Sequence, residues 1–144
     1  MLRFPRWHRR LRWVVIAYGA AIFLWSATED NHLWPVVTLG ALGAALVVYT
    51  WAARRLGGQT LAVREAVPLL AMLGAALGLG ASLITVALML FKNIRHSHLF
   101  PDYPLGQIGA ILERAPIWSL AGALCGVGVA LVWMAFADSR PHRE

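Results

Sequence analysis

Four uncharged apolar runs divide the chain, and they constrain its fold more than any other feature. They cover residues 13–27, 33–53, 66–91 and 117–137. A helix needs about 20 apolar residues to cross the hydrocarbon core of a bilayer, within a range of roughly 17–25. The last three runs meet that length directly. The first is shorter, but Arg12 at its start can hold its guanidinium at the interface while its stem stays in apolar surroundings, extending the span to about 12–28. Composition agrees: 59% of the residues are hydrophobic and 14% charged, whereas a soluble domain carries about 25% charged residues. Neither a soluble globular domain nor a disordered chain fits these values. The expected architecture is a single all-α integral membrane domain over residues 1–144 with four transmembrane helices.

The charges lie between the runs, and their placement orients the chain. Arg3, Arg6, Arg9, Arg10 and Arg12 precede the first run, Arg54, Arg55 and Arg64 join the second to the third, and Arg140 and Arg143 follow the fourth. The opposite side holds Lys92, Arg95 and Arg114. Basic residues accumulate on the cytoplasmic side of a membrane, so both termini are expected there, in a cell membrane of bacterial type. The net charge of +6 then reflects orientation and contact with acidic lipid headgroups. It does not indicate a nucleic-acid surface, because no basic stripe or nucleic-acid motif is present. The first run resembles a signal peptide in its basic lead, but Trp25 occupies the small-residue position that cleavage after Ala27 would need, so a retained anchor is expected.

Trp13, Trp25, Trp34, Trp51, Trp118 and Trp133 lie near run ends, where amphipathic rings favour the interface. The loop 28–32 reads as a tight helical hairpin, with Pro35 tolerated in the first turn of the next helix. The segment 92–116 is long for a bare loop. Asp102 is placed to cap a helix over about 104–114, in which Leu105, Ile108, Ile111 and Leu112 recur at helical spacing. A short amphipathic helix on the outer membrane surface is expected. The alternative is a helix packed on the end of the bundle.

Gly74, Gly78 and Gly80 in the third run and Gly122, Gly126 and Gly128 in the fourth repeat one spacing. Small residues four apart let a second helix backbone approach closely. Gly74, Gly78, Gly122 and Gly126 are therefore the expected contact points for another membrane protein or for self-association. Cys125 is the sole cysteine. It excludes an intrachain disulfide and reads as a small buried hydrophobe.

The chemically distinctive residues gather on the non-cytoplasmic side. Glu29, Asp30 and His32 lie in the first loop there, and His96, His98 and Asp102 in the second. Imidazole and carboxylate together are ligands for a divalent metal. His-x-His brings two rings together only on an extended segment, since two residues on a helix are separated by about 200°. The competing reading makes these residues helix caps and ion pairs: Glu29 and Asp30 complement the start of the second helix, with Lys92 and Arg95 as partners across the bundle. Whether the third helix stops at Phe91 or continues toward Phe100 decides between them.

No charged residue lies within a run, which weighs against proton relays and ion pathways. All five histidines lie outside the runs, which weighs against an intramembrane haem. Thr38, Tyr49, Thr50, Ser82 and Thr85 are expected to bond backbone carbonyls or neighbouring helices. Hydrolase, P-loop and zinc-protease signatures are absent. The favoured function is a non-enzymatic membrane subunit or scaffold that packs against membrane partners. The second reading is a metal- or ligand-binding protein with its site on the outer face. The third is a small transporter or channel.

Overall fold

The computed structural model describes residues 2–3, 11–29, 31–96 and 101–138. Five helices form: α1 (Leu11–Ser26), α2 (Leu33–Arg55), α3 (Val63–Arg95), α4 (Leu105–Glu113) and α5 (Ala115–Asp138). A two-residue antiparallel ladder joins β1 (Leu2–Arg3) to β2 (Thr60–Leu61), pairing Leu2 with Leu61 and Arg3 with Thr60. It ties the start of the chain to the α2–α3 connection. Gly58, at φ 85°, supplies the left-handed backbone of that connection, which costs little only where Cβ is missing.

Leu33–Arg55, Arg64–Arg95 and Leu105–Phe136 are long and apolar enough to cross a membrane, while Leu11–Ser26 is apolar but shorter. The protein is thus helical, with three candidate spans and a shorter apolar helix ahead of them. The 33 residues of α3 extend about 50 Å at 1.5 Å per residue, well beyond the ~30 Å of a hydrocarbon core. The helix continues past Phe91 to Arg95, with His96 as its C-cap.

Antiparallel packing follows the glycines. A Cβ on Gly74 would meet the Gly122 carbonyl, one on Gly122 would meet the Gly74 carbonyl, one on Gly78 would meet the Trp118 carbonyl, and one on Gly126 would meet the Leu70 carbonyl. These four glycines therefore serve α3–α5 contact within the chain. In this structure backbone of the same chain fills the space beside each of them. The Ser119 hydroxyl donates to the Ala75 carbonyl across the same seam at 3.2 Å. On another side of α3, Gly40 of α2 faces Ala81 and Thr85, and Ala44 lies 3.3 Å from the position of a Cβ on Gly80. Thr85 and Thr38 donate to the carbonyls four residues back, Ala81 and Trp34, as expected for hydroxyls in apolar helices. Helix α3 is the shared partner of α2 and α5, and α1 packs lightly on α2.

Trp25, at the end of α1, is buried within the fold, where it joins Val36, Leu88, Met89, Tyr103 and Ile108 in the core cluster. Cys125 is exposed on α5 rather than buried. Helix α4 spans nearly the expected 104–114, but only Ile108 is buried, while Leu105 and Leu112 stay exposed. Its N-cap is Pro104, with no side-chain cap bond, so Asp102 does not cap it. Pro116 sits in the first turn of α5, where proline's missing N–H leaves no bond unmade.

Candidate functional site

The core cluster and the unusual polar residues share one end of the molecule, the histidine end. The opposite end collects Arg12, Arg54, Arg55 and Arg64. At the histidine end the last turns of α3 present Lys92, Asn93, Arg95 and His96. Spacings of three and four residues place Lys92, Arg95 and His96 on neighbouring positions of the helix surface. The loop 101–104 folds back over them.

Asn93 holds that loop in place. Its side-chain Nδ2 donates to the Tyr103 carbonyl at 2.8 Å, and its Oδ1 accepts the Tyr103 N–H at 2.9 Å. One amide thus satisfies both backbone groups of one residue. The Tyr103 ring is fully buried, and its hydroxyl donates to the His32 carbonyl at 3.2 Å. The loop is thereby fastened to α3 and to the residue that caps α2.

Lys92 is also fully buried. Its Nζ lies 4.9 Å from the Trp25 ring centroid and 5.8 Å from that of Tyr103. Both distances fall within the ~6 Å over which an aromatic face attracts a cation. The indole N–H of Trp25 is buried with no hydrogen-bond partner. Arg95 turns to α1 instead of pairing with Glu29. Its guanidinium donates to the Ser26 hydroxyl at 2.6 Å and lies 5.0 Å from the Phe23 ring centroid, fixing the end of α1 to α3.

The expected metal ligands are distributed as follows. His96 Nδ1 and Asp102 Oδ2 are 2.6 Å apart, both on mostly buried side chains. This contact takes the carboxylate that the sequence assigned to capping α4. A carboxylate on one ring nitrogen is the arrangement that orients a histidine for ligation through the other. Glu29 is exposed after α1, and His32 is exposed before α2. Asp30 and His98 lie outside the described residues. Among the described residues, no group of three His, Cys, Asp or Glu side chains is close enough to hold a metal ion.

Sequence reasoning missed Asn93, Tyr103, Trp25 and Ser26. An amide just after an apolar run was the available signal for Asn93, since it can satisfy backbone groups that a loop leaves open. Ser26 and Tyr103 meet their partners only through the tertiary fold. Comparison with protein-family models, with curated proteins and with solved structures finds no match to this chain. The class that the fold defines is a small helical protein with membrane-length helices and a cation–aromatic cluster at one end.

Proposed function

We propose that the chain is a small four-span membrane subunit, non-enzymatic, with both termini cytoplasmic and α4 at the outer surface, and that it packs against another membrane protein. One observation carries the reading: α1 and α5 leave large apolar faces uncovered. Ile16, Phe23 and Leu24 of α1 and Ile117, Leu120 and Leu124 of α5 are all exposed. A lipid-facing helix needs no further partner, but helix pairs in membranes associate through such faces when their shapes match. The polar end cluster supports the same role. Its described hydrogen bonds fasten loops and helices to one another.

A photo-crosslinking residue placed at Ile16, Phe23 or Leu124 in native membranes tests it. Discrete protein adducts at one face are expected. Lipid adducts alone at all three positions would refute the subunit reading. Orientation is checked by cysteine labelling of intact cells in a Cys125→Ser background. A cysteine at Gln107 should label and one at Gln59 should not.

A second reading, a metal or ligand site on the outer face, is favoured by the His96–Asp102 pair. Elemental analysis of the purified protein beside a His96→Ala/His98→Ala variant separates the two.

A further inference from the structure

The arginine end of α2 has a feature that the subunit reading does not use. Val47 and Trp51 form a rib with an apolar groove on each side. One groove, of about 540 Å³, lies between α1 and α2 and includes Val15, Tyr18 and Gly43. The other, of about 370 Å³, lies between α2 and α3 and includes Leu69, Met72 and Leu73. Val47 and Trp51 line both grooves. The first groove descends α2 from Gly43 to Thr50, Arg54 and Arg55. The spacing 47, 51, 54, 55 keeps the rib and the arginines on one helix face.

We propose that this rib is straddled by one anionic diacyl phospholipid, with one acyl chain in each groove and its phosphate on Arg54 and Arg55. Two apolar channels separated by a single aromatic rib match two chains joined at one glycerol. Guanidinium groups bind phosphate oxygens in a bidentate manner, and basic residues at the interface favour a headgroup of net negative charge over a zwitterionic one, whose cation offsets its phosphate. Both arginines are exposed, and they occupy the end turn of α2, where cations also complement the helix dipole. The site rests on insertion in a bilayer, which resistance of the chain to carbonate extraction checks separately. Failure there ends both readings, whereas failure below ends only the lipid site.

The test is native mass spectrometry of the full chain in mild detergent, titrated with phosphatidylglycerol or phosphatidylcholine. One phosphatidylglycerol per chain is expected, with a preference of roughly tenfold or more, given the attraction of each interfacial arginine for anionic lipid. Arg54→Gln/Arg55→Gln should abolish the preference. Arg12→Gln/Arg64→Gln removes the same charge from the same end and should retain it. Val47→Trp, which fills the grooves and keeps both arginines, should lose the bound lipid. Arg54→Lys/Arg55→Lys guards against a misfolded variant and should weaken binding without abolishing it. Equal loss in both Gln pairs would reduce the effect to general charge and overturn the site. So would undiminished binding in Val47→Trp, displacement of the lipid by inorganic phosphate, or a lipid-free dimer occupying the grooves.

Discussion

Tyr18 meets α2 where Gly43 leaves room for its ring. The phenol hydroxyl donates to the Leu39 carbonyl at 2.8 Å, and a Cβ at position 43 would collide with that hydroxyl. This contact anchors the middle of a helix that otherwise packs lightly on its neighbour. Gly43→Ala should displace the tyrosine, losing on the order of 1 kcal/mol for the hydrogen bond, which offsets any gain in helix propensity. In a Tyr18→Ala background the same change should become neutral or favourable, because alanine is the better helix former by up to about 1 kcal/mol. A double-mutant cycle on detergent unfolding, read beside hydrogen exchange in α1, checks it. Equal effects in both backgrounds would contradict the contact.

The seam between α3 and α5 has no such flexibility, because backbone meets backbone. Gly74→Ala or Gly122→Ala must push the helices apart, at about 1–3 kcal/mol for an overpacked site. A Cβ on Gly19 or Gly128 has nothing within 4 Å, so alanine there should be neutral or stabilising. Thermal unfolding of the four variants in one detergent ranks them. A destabilised Gly128→Ala beside a tolerated Gly122→Ala would reverse the assignment of the seam.

Asn93→Ala removes both bonds to the Tyr103 backbone. The expected cost is about 2–3 kcal/mol, including the penalty for leaving buried groups unpaired. Tyr103→Phe loses only the bond to the His32 carbonyl and should cost about 0.5–1.5 kcal/mol. Limited proteolysis of segment 96–104 should therefore accelerate much more in Asn93→Ala than in Tyr103→Phe.

Trp25 offers a reciprocal test. Its buried N–H makes no bond, so Trp25→Phe removes an unsatisfied donor while keeping an aromatic face for Lys92. The loss should stay below about 1.5 kcal/mol, as for swaps that keep most of the volume. Trp25→Ala leaves a cavity and should cost about 3–5 kcal/mol. Chemical unfolding distinguishes a small difference from a large one. Equal losses would mean that the indole N–H is bonded after all.

Much of the helical layout was legible because long uncharged runs leave the backbone few alternatives. Helices α2 and α5 and most of α3 follow those runs, and α4 follows the spacing of Ile108 and its neighbours. The end cluster was legible only as a list of polar residues. Asp102 had two possible partners, the α4 N-terminus and a histidine six residues before it, and local sequence favoured the cap. The fold chose the histidine because Asn93 draws the loop back onto α3. The glycine spacing was read correctly as a surface for close approach. It carried no information on whether the approaching backbone belonged to the same chain.

The third uncharged run ends at Phe91, and Lys92 follows at once. Lysines near a membrane boundary usually absorb a mismatch in thickness by extending toward water. Lys92 has no such slack, because its ammonium is held between two buried rings. In a bilayer thinner than its apolar span the chain must therefore tilt. Because α2 and α5 both pack on α3, tilting moves all three together, so that bilayer thickness acts on the molecule as a lever.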